Sequence, residues 1–317
     1  MTVVRPFRFY LTTGDVDEPV ALPEFARRAE GLGYDGLLFT DHLLGQLGPI
    51  AAMTAAAAAT ERLKVGTFVI NNDLRHPVVL GQELASIDRL SAGRLIVGLG
   101  AGWNEPEYRA LGLAFEPAGL RIGRLEESVQ VLKALFAGGR TAHTGEHYQV
   151  EGFEEFPRPI QRPHPPFLIG GGSRRTLSLA AREAQIVGLA PLARQGRADF
   201  HSITAAGTDE KLSWIRAAAG DRFDELDINT YSSIQDGMTV TDDARPVLRA
   251  IADRIRDRSG IELSEDDVDE SPHVFVGSVD HLVEKFLRLR ERWAINSFTL
   301  GWRLDDFTSV VKRLAGR

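Results

Sequence analysis

Residues able to do chemistry gather in four short stretches, each placed directly after an apolar run. Thr40-Asp41-His42 follows GLLF (Gly36–Phe39). A carboxylate beside an imidazole suits proton transfer, or the orienting of a heteroaromatic ring, because imidazole titrates near neutrality. The plainer alternative is a turn capped by Asp41 with His42 packed locally. Asn71-Asn72-Asp73 follows KVGTFVI (Lys64–Ile70). Amides offer donors and acceptors to a ring edge, and they are also ordinary turn residues. Gly98–Glu105 (GLGAGWNE) follows RLIV, and its glycines allow a ligand close to the backbone. Gly170–Thr176 (GGGSRRT) follows FLI and runs into a helical pattern. Backbone N–H groups at a helix start, two hydroxyls and two guanidiniums suit an anion, most naturally a phosphate. The competing reading there is a glycine turn with a serine N-cap and solvated arginines.

Several chemistries are excluded or disfavoured. The chain has no cysteine, which removes disulfides, thiolate metal sites, iron–sulfur clusters and thiol nucleophiles. His143-x-x-x-His147 lies in a turn-rich stretch with no third ligand nearby in sequence, so no metal is expected. Neither a G-x-S-x-G elbow nor a P-loop occurs. The G-x-G at Gly98 follows a fourth strand, and Trp103-Asn104-Glu105-Pro106 stands where a dinucleotide-binding helix would need apolar residues. A net charge of −7 gives no reason to expect nucleic acid as a partner. No stretch approaches the ~20 apolar residues that span a bilayer, and no secretory leader is visible, so a cytoplasmic location is expected.

The elements that must position these stretches alternate. Short apolar runs at Phe7–Leu11, Gly36–Phe39, Lys64–Ile70, Arg94–Gly98, Phe167–Gly170, Ile186–Leu189, Asp227–Ser232 and Ser297–Leu300 read as strands. Helical patterns lie between them, among them alanine-rich Pro49–Thr60, Pro77–Leu90, a helix with Leu125, Val129, Leu132 and Phe136 on one face, Ser173–Glu183, Thr208–Gly220 and Leu304–Arg313. Strands this short and apolar are buried on both faces, as in a parallel sheet. Eight such units in 317 residues suggest an α/β fold of the (β/α)8 TIM-barrel type, one domain over 1–317; an open doubly wound sheet is the alternative. Gly138–Pro166, with a hairpin near Thr141–Gly145, and Asp236–His273, with a helix over Arg245–Ser259 and an acidic run over Glu262–Glu270, read as inserted segments. In such a barrel the site lies at the carboxyl ends of the strands, where all four stretches fall.

Taken together, GYDGLLFTDH (Gly33–His42), LKVGTFVINNDLRHP (Leu63–Pro77), SAGRLIVGLGAGWNEPEY (Ser91–Tyr108) and RPHPPFLIGGGSRRTL (Arg162–Leu177) resemble the luciferase-like monooxygenase superfamily. Within it the chain is similar to an actinobacterial branch of coenzyme F420-dependent oxidoreductases. The resemblance implies hydride transfer between this deazaflavin and a small organic substrate. The alternatives are an FMN-dependent monooxygenase using reduced flavin and oxygen, and a non-catalytic flavin-binding protein. It implies a phosphate cradle at Gly171, Gly172, Ser173, Arg174 and Thr176, and ring contacts from Asp41, Asn71, Asn72 and Asn104. Relatives carry a bulge near Asn71 and Asn72, often with a non-proline cis peptide. His42 is the acid/base expected, with Asp41 setting its tautomer or gripping the cofactor; Tyr10 and Trp103 are expected to wall the substrate side. Sugar-phosphate dehydrogenases of the superfamily carry a glutamate in the loop where Ala101 stands, with Glu105 close by, which weakens a sugar-phosphate substrate. Arg174, Arg175 or Lys211 lining an open groove would favour the acidic tail of F420 over FMN. A homodimer is a further expectation, with the Met53–Thr60 helix as one candidate surface.

Overall fold

The computed structural model describes residues 4–13, 21–43, 45–153, 156–194 and 197–317. In chain order the elements are β1 (Arg8–Thr13), α1 (Leu22–Leu32), β2 (Gly36–Phe39), α2 (Pro49–Ala59), β3 (Lys64–Thr67), β4 (Ile70–Asn71), α3 (Pro77–Leu90) and β5 (Leu95–Gly100). Then come α4 (Glu105–Ala110), α5 (Ala118–Ala137), β6 (Thr141–Thr144), β7 (Gln149–Phe153), β8 (Phe167–Gly171), α6 (Arg174–Glu183), β9 (Ile186–Leu189), β10 (Leu192–Arg194) and β11 (Arg197–Asp199). The remainder is α7 (Ala205–Ala219), β12 (Asp227–Tyr231), β13 (Met238–Val240), α8 (Arg245–Ser259), α9 (Glu265–Glu270), β14 (Phe275–Gly277), α10 (Val279–Trp293), β15 (Ile295–Leu300) and α11 (Thr308–Leu314).

The main sheet runs β3-β2-β1-β15-β12-β9-β8-β5-β4, and β3 also pairs with β5, so the sheet closes on itself. Because β3 and β4 together form one stave, this is a (β/α)8 barrel, as the alternation of short apolar runs and helices implies. The contacts group the chain into two compact units, Met1–Thr12, Gly31–Asp35 and Gly170–Arg317 in one, Thr13–Glu30 and Gly36–Ile169 in the other.

In the second unit β2 pairs with β3 in parallel (Gly36↔Lys64) and β5 with β8 (Val97↔Phe167). Every residue of β2 and β5 is buried, which is why these strands read as unbroken apolar runs. The hairpin expected near Thr141–Gly145 is β6–β7, paired antiparallel. Glu127 of α5 ties down its turn, accepting from the amides of Glu146, His147 and Tyr148 and lying 3.3 Å from His143. Those bonds place His143 and Glu146–Tyr148 around the Glu127 carboxylate. In the first unit β1, β15, β12 and β9 are consecutive parallel neighbours. An aromatic stack on their outer side, with Phe286 of α10 4.0 Å from Phe298 and Phe9 5.7 Å from Phe298, joins strand to helix. In the second inserted stretch, α8 and α9 form, and the acidic run is partly structural: Glu265 bridges Arg245 and Arg249 while Asp269 receives Lys285.

The structure departs from the sequence reading in four places. The third strand is not continuous over Lys64–Ile70: β3 stops at Thr67, a cis peptide joins Phe68 to Val69, and β4 resumes against β5 (Ile70↔Leu99). The non-proline cis bond implied near Asn71 and Asn72 therefore lies just upstream of them. The fourth strand extends to Gly100, because Gly98-Leu99-Gly100 stays buried and paired rather than opening into a loop. A short helix, α4, follows it where Pro106 permits a first turn. The final helix starts at Thr308, after a turn over 304–307.

Candidate active site

At the end of β2 the chain presents Asp41 and His42, and the two side chains diverge. The Asp41 carboxylate receives Arg75 through two charge-assisted bonds, 2.6 and 3.1 Å, and accepts the Asn71 amide at 3.0 Å. The carboxylate is 1% exposed. It thereby clamps the stretch after β2 to the stretch after β4.

His42 turns the other way. Its Nδ1 lies 3.0 and 3.2 Å from the two oxygens of Glu107, which also accepts the Leu43 amide at 3.1 Å. An ionised carboxylate only accepts, so Nδ1 carries the proton and donates it. Nε2 is then the nitrogen that the Glu107 contact leaves open. Glu107, 4% exposed, sits on α4 beside Tyr108. The expectation that Asp41 sets the His42 tautomer is corrected: Glu107 does this, because Asp41 is committed to Arg75. Glu105, nearer in sequence to the strand end, faces solvent and pairs with Arg109.

A second polar layer lies beneath. The Tyr108 hydroxyl is 3.0 Å from both Asn71 Oδ1 and Asp73 Oδ2, and burial pushes its pKa up to about 12, so it remains a donor. Arg124 grips Asp73 at 2.8 and 2.9 Å. Gly102, at φ +76°, passes so close that a Cβ there would stand 2.0 Å from the Tyr108 hydroxyl, so only glycine fits. Arg121 fastens the same turn, donating to the carbonyls of Ala101, Gly102 and Glu116.

The other expected site residues in this unit have varied surroundings. Asn72 is fully buried; its amide donates to the Tyr148 hydroxyl at 3.2 Å, while its Oδ1 has no partner among the described residues. Asn104 stands at the N-cap of α4 but its side chain makes no cap bond. Trp103 is 66% exposed and meets His42 edge-on, with ring centroids 5.7 Å apart.

In the other unit, Gly171 ends β8 and Ser173 caps α6, accepting the Thr176 amide at 3.2 Å with its hydroxyl 2.9 Å from that of Thr176. A Cβ on Gly172 would lie 2.6 Å from the Pro191 carbonyl, so the loop needs glycine to pack there. The first-turn N–H groups of a helix without intrahelical partners form the type of cradle a phosphate takes. Arg174 and Arg175 are exposed at this helix start. Lys211 is not a groove residue. It is buried, its Nζ donates to Ala190 O at 2.7 Å, and burial pushes its pKa down to about 8. Tyr10, expected on the substrate side, is likewise buried, at 1% exposure.

Sequence reasoning missed Glu107, Arg75 and Tyr108. Glu107 lies on the opposite side of α4 from Glu105, two residues on, but Tyr108 shares the phase of Glu105, so helical phase alone did not mark the inward pair. The pairing of Arg75 with Asp41 had no signal in the sequence.

The chain is 33% identical over 189 residues to an F420-dependent glucose-6-phosphate dehydrogenase of Microbacterium testaceum, a match covering 57% of this chain and 55% of that enzyme. It is 34% identical over 128 residues to an FMNH2-dependent dimethylsulfone monooxygenase of Pseudomonas putida, covering 40% of this chain and 35% of the relative. The matched stretches thus span about half or less of these relatives. The coenzyme F420-dependent tetrahydromethanopterin reductase of Methanopyrus kandleri shares the fold, with a TM-score of 0.78 at 19% identity over 98% of this chain and 99% of that one. The luciferase-like monooxygenase family model matches residues 2–213, and the chain belongs to that family.

Proposed function

We propose that the protein is an oxidoreductase that uses coenzyme F420 to move a hydride to or from a small organic substrate. The observation that carries this reading is the His42–Glu107 pair at a barrel strand end. There an imidazole is held by one nitrogen and leaves the other for a reactant. The residues suit a deazaflavin. Among the described residues Asn72 Oδ1 is a buried acceptor lacking a donor, Asn104 keeps its side chain out of the α4 cap, and Gly171–Thr176 leads into the N-terminus of α6, a place suited to an anion. In this reading Asn72 and Asn104 meet the ring, and Gly171, Gly172, Ser173, Arg174 and Thr176 take the phosphate. Asp41 and Asn71 act from behind, by holding the loop. When bound, the cofactor supplies a carbon that accepts or releases hydride.

The protein's part is positional and protonic. His42 Nε2 gives or takes the proton at the substrate oxygen. Glu107 fixes the ring and steadies the imidazolium while it is charged. Arg174 and Arg175, exposed beside the cradle, suit the acidic tail of F420 better than the short phosphate of FMN. The likeness to an FMNH2-dependent enzyme keeps a reduced-flavin monooxygenase as the second reading. Fluorescence titration with coenzyme F420 and with FMN separates them. Tight F420 binding with weak FMN binding is expected; the reverse order would move the protein to the second reading, and binding of neither would refute both.

Among the described residues no helix is long and apolar enough to cross a membrane. We further propose a homodimer through α2. Its Ala52, Met53, Ala56 and Ala57 face the core, whereas its outward Ile50, Ala51, Thr54, Ala55 and Ala58 carry no charge and border an open groove. Light scattering that finds only monomer at micromolar concentration would refute this.

A further inference from the structure

The first unit holds a cavity of about 110 Å³ that none of the His42-site residues lines. It stands where the chain leaves β9 and β12, between Pro191 and Ser233–Gln235, and α8 of the inserted segment closes one side. Strand ends of this kind are where a (β/α)8 barrel places its ligands. The lining is sorted by depth. Ile203 and Ile255 are buried and belong to the small core under α8, with Phe200 and Ile234 packed against it. Ser233, Gln235 and Arg258 are exposed, so they form the mouth. Protein interiors are close-packed and leave few spaces larger than a water. An apolar cavity with a few polar groups converging on it is the usual form of a small-molecule site.

The charge at the mouth is unbalanced. Arg254 and Arg258 line the cavity from one face of α8, a turn apart, and no lining residue is an acid. Arg254 is engaged: it donates to the Gln235 carbonyl at 2.7 Å and meets Asp236 at 3.1 Å. The other acids beside the lining residues are engaged too. Asp257 lies 3.7 Å from Arg256, and Asp199 accepts the His201 amide at 3.1 Å. Arg258 has no acidic partner among the described residues. From the sorted lining and this free cation we infer that the cavity binds a short, branched monocarboxylic acid, with its alkyl body inside and its carboxylate on Arg258. A cavity of about 150 Å³ holds benzene, so this one takes a somewhat smaller body, such as an isobutyl group. A planar guanidinium at the mouth suits a carboxylate, which it can meet with two parallel bonds. The site goes beyond the hydride reading and does not depend on it. The two meet at Pro191, which lines the cavity and whose carbonyl backs Gly172, 2.6 Å from where a Cβ would stand. The acidic end of a bound cofactor is therefore the occupant to exclude.

The test is calorimetric titration of the purified full chain with isovalerate, its neutral isostere isovaleramide, and decanoate. Isovalerate is expected to bind once per chain, below about 1 mM. Isovaleramide should bind about tenfold or more weaker, because it lacks the charge. Decanoate, too long for the space, should also bind about tenfold or more weaker. Arg258→Gln, at an exposed position, should weaken isovalerate about tenfold and leave isovaleramide within about twofold. Ile234→Trp should remove isovalerate binding by filling the cavity, with a cooperative thermal melt as the check that the variant folds. The amide binding as tightly as the acid, or no isovalerate binding at about 10 mM, overturns the inference. Displacement of isovalerate by coenzyme F420 also overturns it, since the space would then belong to the cofactor's acidic end. The first two failures leave the hydride reading untouched, and the third would support it, so the two proposals fail separately.

Discussion

Replacing Arg75 by methionine tests whether the Asp41–Arg75 pair holds the site together. The substitution keeps most of the apolar stem and removes both bonds to Asp41, at 2.6 and 3.1 Å. Asp41 would keep only the Asn71 amide, at 3.0 Å, in a position where its carboxylate is 1% exposed. An uncompensated buried charge of this type costs about 3–5 kcal/mol. At roughly 2 °C per kcal/mol for a chain of this size, the melting temperature should fall by about 6–10 °C. Asp41→Asn should cost less, about 1–2 kcal/mol, because Arg75 is 21% exposed and can turn to water. Adding Asp41→Asn to Arg75→Met removes the stranded charge, so the double variant should recover at least about 1 kcal/mol over Arg75→Met. The assay is a thermal melt followed by far-ultraviolet circular dichroism, with urea titration for the free energies. A loss under about 1 kcal/mol for Arg75→Met would place the pair among surface ion pairs and refute the clamp.

Three further outcomes follow from the geometry. His42→Ala should lower turnover about 10²–10⁴-fold, with F420 affinity within about twofold. Glu107→Gln should also lower turnover, by up to about 10⁴-fold, because an amide can donate to Nδ1 and stabilise the wrong tautomer; steady-state kinetics beside a binding titration checks both. Gly172→Ala, whose Cβ would meet the Pro191 carbonyl at 2.6 Å and Leu192 N at 2.7 Å, should destabilise by about 1–3 kcal/mol and weaken F420 binding together, as a melt and a titration would show. His273 is buried, its Nδ1 bonded to Tyr231 O at 2.9 Å, and burial with Lys211 nearby pushes its pKa down to about 3 from 6.5. The unfolded chain therefore binds the extra proton below pH 6.5, and stability falls as pH drops from 6.5 toward 3, at up to ~1.4 kcal/mol per unit. A His273→Gln variant should show a shallower fall between pH 6.5 and 5, and an equal slope would remove His273 as the cause.

The barrel was legible because burying a parallel strand on both faces leaves a mark that survives without tertiary information. GLLF and LIVGLG are apolar at every position, and all of them are buried. The break between β3 and β4 left no such mark, since Phe68 and Val69 are as apolar as their neighbours and a cis bond has no side-chain signature outside proline. The site was half legible for a related reason. That strand ends carry chemistry follows from the fold, so Asp41, His42, Asn71 and Asn104 were singled out. Which of them pair follows from side-chain direction across 30 or more residues, and adjacency in sequence misled. Asp41 and His42 are neighbours that point apart, whereas His42 and Glu107 are 65 apart in the chain and bonded. Lys211 was misplaced for the opposite reason. It shares a buried face of α7 with Leu212 and Ile215, and a lysine there reads as solvated until its carbonyl partner is known.

That division explains why the site holds so many charges yet presents so few. Asp41, Asp73, Arg75, Arg121 and Arg124 satisfy one another or the backbone, and their work is to hold three loops in register. Each such pair costs desolvation and returns geometry more than stability. The group left with an open nitrogen is His42. A cluster arranged in this way suits hydride chemistry, in which the cofactor carries the electrons and the protein needs to supply one proton at one place.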